Sequence, residues 1–157
     1  GAAALQRQST DLNTLLREVV QAQFVNQPLK LDLAEPLPPL ALDRARVQLL
    51  VRNLVDNALR HGAASATAPV EIRTRLQGEQ VTLTVRDHGP GVPTEFVPLL
   101  FDRFARCPAS AASVPGTGLG LAIARSYAHA HSGEVSYRPA ASSGSVFELT
   151  LPAAAAR

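Results

Sequence analysis

Three segments of the chain carry apolar residues at the i, i+3, i+4, i+7 spacing of an amphipathic helix. The first segment runs from Asp11 to Phe24. The second follows a proline-rich stretch, begins at Asp43 and runs to about His61, and aspartate is a residue type that commonly caps helices. The third runs from Gly118 to His131. The pattern therefore predicts three helices.

Between these helices, apolar and polar residues alternate with the two-residue period of a strand that buries one face. Such runs occur at Val70–Ile72, Val81–Val85, Glu134–Arg138 and Phe147–Leu151, with Leu29–Leu33 as a further candidate. The link Gln77-Gly78-Glu79 has the composition of a hairpin turn. Strands buried on both faces would show continuous apolar runs instead. We therefore predict an α/β fold of two layers, a two-layer α/β sandwich with helices packed on one face of a mixed, mostly antiparallel sheet.

The composition is typical of one globular domain, with 157 residues of which 46% are hydrophobic. The single cysteine, Cys107, excludes an internal disulfide, and no apolar run reaches the roughly 18 residues of a membrane span. The chain has no methionine and begins at Gly1, so we expect it to be a piece of a longer protein. In this interpretation residues 1–10 are a tag or linker remnant, residues 11–152 form the domain, and residues 153–157 are a flexible tail.

The formal net charge is +2 and the isoelectric point is near 9.2, values that first suggest a nucleic-acid partner. However, the arginines are spread along the chain, Lys30 is the only lysine, and 4% of the residues are aromatic. Binding to single-stranded nucleic acid usually needs a basic stripe with aromatic side chains on which bases stack. We therefore expect no nucleic-acid partner.

Polar side chains line one face of the second predicted helix. At about 100° per residue, Asn53, Asn57 and Arg60 fall on one line beside the apolar stripe. An asparagine oxygen is a suitable neutral ligand for Mg²⁺, which takes one or two protein oxygens and otherwise binds phosphates and water. The alternative is a solvated polar face with contacts between residues four apart.

A second cluster, Asp87-His88-Gly89-Pro90-Gly91, directly follows an alternating strand. An aspartate at a strand end can accept a hydrogen bond from an exocyclic amine such as that of adenine. Gly89 and Gly91 allow backbone to approach a ligand closely. The alternative is an ordinary turn, because aspartate, glycine and proline are all turn residues.

Two further segments lie toward the third helix. Phe101–Arg106 carries two phenylalanines, best explained by core packing, and Arg106 could face a phosphate. Gly116–Gly120 opens the helix, where small residues expose backbone N–H groups to an anion. This segment is not a Walker loop, because it lacks the lysine of that motif. It is not a dinucleotide-binding turn either, because its glycines are spaced differently. The aperiodic segment between the two is expected to be a loop.

Taken together and in this order, the four segments resemble the catalytic, ATP-binding domain of sensor histidine kinases, part of the Bergerat-fold ATPase superfamily. Asn53–Asn57 is similar to that family's N box, Asp87–Gly91 to its G1 box, Phe101–Phe104 to its F box and Gly116–Gly120 to its G2 box. The resemblance covers nearly the whole chain. It implies the Bergerat fold, Mg²⁺ and ATP as cofactors, and an ATP lid at about residues 105–117.

The resemblance also implies roles for individual residues. Asn57 would ligate Mg²⁺, Asn53 and Arg60 would support the phosphates, and His61 would lie nearby. Asp87 would bind the adenine amine, with Gly89 and Gly91 shaping that wall. The remaining residues would contact the phosphates, Arg106 through its guanidinium and the others through the helix start: Gly116, Thr117, Gly118, Leu119 and Gly120.

One position favours a kinase over an ATPase. Related ATPases typically carry a glutamate as general base where this chain has Asn53, and an amide cannot take a proton. No histidine of the chain is followed by the acidic residue of the family's phosphoacceptor motif, and His131 matches a structural histidine. The resemblance therefore implies transfer of the γ-phosphoryl group to a histidine on a helical hairpin absent from this chain.

The same resemblance implies a cognate response regulator and a homodimeric parent protein anchored in the inner membrane. This chain would then be a cytoplasmic, monomeric domain with little activity alone. Two alternatives stay open, a self-sufficient ATPase and a nucleotide-sensing binding module. Steady ATP turnover by the isolated domain would distinguish the first of these from a kinase.

Overall fold

The computed structural model describes residues 4–61, 68–103 and 120–153. In that part of the chain, helices pack on one face of a five-stranded sheet, with a separate two-stranded sheet at one side. The helices are α1 (Leu12–Gln23), α2 (Arg44–His61), a short 3₁₀ helix (Thr94–Leu99) and α3 (Gly120–Ala130). The strands are β1 (Arg7–Thr10), β2 (Leu29–Leu33), β3 (Leu40–Asp43), β4 (Val70–Gln77), β5 (Gln80–Arg86), β6 (Glu134–Pro139) and β7 (Ser145–Pro152).

The large sheet has the strand order β2-β4-β5-β7-β6. Only the β2–β4 pair is parallel, and the other three pairs are antiparallel. On the helix side, Val85 lies opposite Ile72 on one neighbour and Phe147 on the other, and all three are buried. The predicted two-layer sandwich with a mixed, mostly antiparallel sheet is confirmed.

The helices bury the stripes that their spacing predicted. In α2 the buried residues are Val47, Leu50, Val51, Leu54, Val55 and Ala58. In α3 they are Ala124 and Ala128, which lie one turn apart and are small enough to allow close packing. Within the described ranges, no helix is both long and apolar enough to cross a membrane.

The first residues of the chain correct the expected linker. Arg7–Thr10 form β1, which pairs antiparallel with β3 in the two-stranded sheet. The Gln6 N–H donates to Asp43 Oδ2 at 3.0 Å, and Arg7 Nη2 donates to the carbonyl of Ala130 at 3.2 Å. These long-range bonds hold a short polar segment that local pattern alone assigns to linker.

Asp43 caps α2 as predicted, and it also joins the start of α2 to the end of α3. Its Oδ1 accepts from the Arg46 N–H at 3.2 Å, while its own N–H donates to Nε2 of the buried His131 at 3.0 Å. Nδ1 of His131 lies 2.8 Å from the carbonyl of Tyr127 and is therefore the protonated nitrogen. The predicted structural role of His131 is confirmed.

Replacing Asp43 with asparagine is expected to lower the free energy of unfolding by about 1–2 kcal/mol, because one of two backbone N–H groups then faces an NH₂ group. Hydrogen bonds from the backbone of Gln6 and Arg46 hold the pKa of the Asp43 carboxyl below its usual range. That stabilisation is present above about pH 4 and is lost as pH falls through the lower native pKa. Urea unfolding at neutral and acid pH measures it.

The difference between the Asp43→Asn variant and the original chain should therefore shrink in acid. Asp102→Asn, at an exposed position, provides the control and should stay within about 0.5 kcal/mol of the original at neutral pH. An Asp43→Asn penalty that is unchanged at low pH would contradict this account.

Candidate functional site

Helices α2 and α3, which carry part of the predicted site, run antiparallel and are joined by hydrogen bonds at two places along their length. At one level His131 joins the end of α3 to the start of α2. At the other, Asn53 Nδ2 donates to the carbonyl of Gly120, the first residue of α3, at 3.3 Å. The last five residues of α2, Asn57–His61, therefore extend beyond the start of α3.

Asn57, Arg60 and His61 lie on this extension of α2. Asn57 is half-buried, and among the described residues its amide makes no hydrogen bond. Arg60 is exposed, and its Nε lies 2.9 Å from Oδ2 of Asp56 one turn earlier. That pair is the contact four residues apart that the polar-face alternative predicts, and an exposed pair of this kind contributes little to stability. The side-chain oxygen of Asn57 is therefore able to coordinate a cation.

The carboxylate of Asp87 is fixed at the end of β5. Asp87 is 4% exposed, and its Oδ1 accepts from the backbone N–H of Gly89 at 3.0 Å and of Ser145 at 3.2 Å. Its own N–H donates to the Ser145 carbonyl at 3.0 Å. Within the described ranges, both bonds to the carboxylate end on Oδ1, so Oδ2 has acceptor capacity for a ligand.

Burial raises the pKa of the Asp87 carboxyl above its usual value. The two backbone hydrogen bonds and the nearby rings of His88 and His61 lower the same pKa and only partly offset the burial. His61, at the end of α2, is thus one of the residues that act electrostatically on Asp87. The carboxylate is therefore held desolvated and oriented, which costs stability until a donor reaches it.

Two glycines close the backbone around Asp87. Gly144 has φ of +104°, and a Cβ there would lie 2.0 Å from the carbonyl oxygen of Asp87. Gly91 has φ of +81°, and a Cβ there would lie 3.5 Å from the carbonyl oxygen of Gly144. Sequence reasoning missed Gly144 and Ser145 as parts of the site, although the Ser-Gly turn before β7 was the signal that could have found them.

Of the residues predicted in the F box, the lid and the G2 box, the structure describes some and leaves others outside the described ranges. Phe101 packs edge-on against the core ring of Phe147, with 6.3 Å between ring centroids, which agrees with the core-packing interpretation. The predicted lid and the following residues lie outside the described residues: Phe104, Arg106, Gly116, Thr117, Gly118 and Leu119.

Residues 42–155 match the family model described as the histidine kinase-, DNA gyrase B-, and HSP90-like ATPase. The chain belongs to this family. Among curated relatives, the signal transduction histidine-protein kinase AfsQ2 of Streptomyces coelicolor is 36% identical over 152 residues, which is 97% of this chain and 28% of AfsQ2. The chain thus spans somewhat more than a quarter of that relative's length.

Two solved structures have the same fold. Full-length ShkA in complex with AMPPNP superimposes with a TM-score of 0.78 at 28% identity, covering 97% of this chain and 32% of ShkA. The catalytic domain of histidine kinase ThkA gives 0.77 at 25% identity, covering 94% of this chain and 96% of that domain. This chain is an ATP-binding catalytic domain of the histidine kinase type. The resemblance found in the sequence is confirmed.

Proposed function

We propose that this domain binds Mg·ATP and donates the γ-phosphoryl group to a histidine on a helical hairpin outside this chain. The observation that carries the proposal is the Asp87 carboxylate, buried and fixed through Oδ1 with Oδ2 left as an acceptor. An adenine amine is a donor that suits this oxygen, and guanine presents a carbonyl at the same place. Gly89 and Gly91 would form the wall beside the base.

The phosphate end would lie along the extension of α2. The half-buried Asn57 would offer its amide oxygen to Mg²⁺, a hard cation that accepts such a ligand. When bound, Mg²⁺ would neutralise charge on the phosphates. Asn53 would hold the start of α3 in place through its bond to Gly120, so that the helix N-terminus can face an anion.

Four further groups would act around the phosphates as the family resemblance implies. Arg60 would add positive charge from α2, with His61 nearby. Arg106 would reach the γ-phosphate, and the segment from Gly116 through Thr117, Gly118 and Leu119 would offer backbone N–H groups. These assignments rest on sequence position, because only Arg60 and His61 are among the described residues.

The described α2 residue at the position of the ATPase glutamate is an amide, which favours transfer over hydrolysis. The amide of Asn53 cannot accept a proton, and it is already bonded to Gly120. Asp56, the adjacent carboxylate, is paired with Arg60. A base would therefore arrive with the acceptor, and this domain would contribute positioning and charge neutralisation.

The wider setting follows the relatives. A sensor kinase of AfsQ2's length has room for segments beyond the part that this chain matches. We propose that the parent protein supplies the phosphoacceptor hairpin, forms a homodimer, is anchored in the inner membrane and phosphorylates a response regulator. The domain of residues 11–152, extended to Arg7 by β1, would be the cytoplasmic catalytic part of that protein. In isolation, this domain would be a monomer.

Replacing Asn57 with alanine is expected to weaken Mg·ATP binding about tenfold and to slow phosphotransfer to a histidine-bearing hairpin supplied in trans. Only the Mg²⁺-dependent part of the affinity should be lost, because the base contact at Asp87 is untouched. Calorimetric titration with ATP, with and without Mg²⁺, measures this difference.

Asn57→Asp is the matched control, because it keeps an oxygen at the same reach and should retain the Mg²⁺ dependence. Equal affinities for Mg·ATP in the original chain and the Asn57→Ala variant would remove the metal-ligand assignment. Rapid ATP turnover without the hairpin would contradict the phosphotransfer proposal and support the self-sufficient ATPase.

A further inference from the structure

The helix-free face of the large sheet carries a groove of about 410 Å³. It is lined by Arg73, Arg75, Leu76, Gln77, Thr82, Thr84, Arg138 and Glu148. None of these residues belongs to the nucleotide site, which lies on the helix side and at the end of β5. The groove therefore needs a separate explanation.

Strand register gives the groove its shape. Thr84 on β5 lies opposite Arg73 on β4 and Glu148 on β7, and Thr82 lies opposite Arg75 on β4. Thr84 thus lies between two long side chains, whereas Thr82 has the long Arg75 on its β4 side and the short Thr150 on its β7 side. The result is a trough that runs along β5 with arginines on its β4 side.

The trough has a surplus of positive charge. Arg73 Nε and Arg75 Nη2 both contact Oδ2 of Asp32, at 3.2 and 2.9 Å. Across the trough, Arg138 Nη1 contacts Glu148 Oε1 at 2.8 Å. Two guanidiniums thus share one carboxylate oxygen, and each arginine retains donors for another acceptor.

The floor of the trough offers an unusual polar group. Thr82 is 3% exposed and lines the groove, yet within the described ranges its hydroxyl makes no hydrogen bond. No lining residue is aromatic, so bases would have nothing on which to stack. Forked guanidiniums and a hydroxyl match carboxylates well.

We propose that this groove binds an acidic, extended peptide segment of a partner protein. Its carboxylates would pair with Arg73, Arg75 and Arg138, and a polar group of the segment would bond the Thr82 hydroxyl. Because the sheet separates the groove from the nucleotide site, both ligands can bind at once. The proposal does not depend on the proposed function.

The test measures binding of a fluorescein-labelled hexaglutamate peptide to the 157-residue chain by fluorescence anisotropy at low salt, with a labelled hexaglutamine peptide alongside. The double variant Arg73→Gln/Arg75→Gln should bind hexaglutamate about tenfold more weakly. The single variant Arg138→Gln should weaken it to a smaller extent, and saturating Mg·ATP should leave the affinity unchanged.

The matched control is Arg17→Gln/Arg44→Gln, which removes the same charge from exposed ion pairs on the helical layer. It should bind hexaglutamate as the original chain does, and thermal unfolding should show that all variants are folded. Three results would overturn the proposal: equal weakening in the control, equal binding of hexaglutamine, or competition by Mg·ATP. Tighter binding of a single-stranded oligonucleotide through the same arginines would also overturn it.

Discussion

Asp87→Asn is expected to weaken ATP binding about a hundredfold without destabilising the domain. Asparagine keeps the oxygen that accepts from Gly89 and Ser145, so the fold around β5 is preserved. The atom toward the ligand, however, changes from the acceptor Oδ2 to an NH₂ donor. A lost charged hydrogen bond and two opposed donors together cost about 3 kcal/mol.

The stability of the Asp87→Asn variant should not fall with its ATP affinity, and it should stay equal or rise. Because burial raises the pKa of Asp87, the ionised carboxylate opposes folding at neutral pH, and this cost disappears only as pH falls below the raised native pKa. Removing the charge should therefore leave the melting temperature equal or higher. A buried group that served structure alone would show the reverse.

Calorimetric titrations with ATP and GTP provide the comparison within one variant. The new NH₂ donor suits the guanine carbonyl, so the preference for ATP over GTP should fall or invert. An unchanged preference would contradict the role proposed for Asp87. A lowered melting temperature would contradict the account of its burial.

Gly144→Ala is expected to lower the free energy of unfolding by about 4 kcal/mol and to abolish measurable ATP binding at ordinary concentrations. At φ of +104° an alanine is strained, and its Cβ would lie 2.0 Å from the carbonyl oxygen of Asp87 and 3.0 Å from Cα of His88. Backbone has to move at the residue that holds the ligand-facing carboxylate. Urea unfolding and ATP titration measure the two effects.

Gly78→Ala is the control that separates the cost of a positive φ from the cost of a steric contact made by the new Cβ. Gly78 has φ of +61° in the turn between β4 and β5, and a Cβ there would meet nothing within 4 Å. Its penalty should be about 1 kcal/mol, with ATP affinity unchanged. Similar losses of stability at the two glycines would show that the close approach to Asp87 is unimportant.

Sequence was sufficient where local pattern and packing agree. Val81, Leu83 and Val85 alternate because one face of β5 is buried, and the structure buries all three. Asp43 was predicted as a cap because its side chain and the helix start are neighbours in the chain, and its bond to the Arg46 N–H confirms this. The bond from Asn53 to Gly120 was not predicted, and it joins the N-box segment to the last residue of the G2-box segment.

Sequence was insufficient where a residue is defined by a distant partner. Arg7–Thr10 have no apolar alternation, and they form β1 only through pairing with β3. Likewise, Ser145 belongs to the site because strand pairing brings its N–H to Asp87, 58 positions away along the chain. The Ser-Gly turn before β7 marks the position of Ser145 in the chain, but neither partner can be identified from the local sequence.

Helix α3 is held more firmly at its C-terminal end than at its start, so we expect it to pivot about its C-terminal end. Two hydrogen bonds from outside the helix hold its C-terminal end, one from the Asp43 N–H to His131 and one from Arg7 to the Ala130 carbonyl, whereas among the described residues its start receives one, from Asn53. At a rise of about 1.5 Å per residue, a rotation of about 5° at His131 displaces Gly120 by somewhat more than about 1 Å. The fully buried residues of α3, Ala124 and Ala128, have no long side chains to interlock with α2 or the sheet. We therefore expect any small pivoting of α3 to displace most the end that faces the proposed phosphate site.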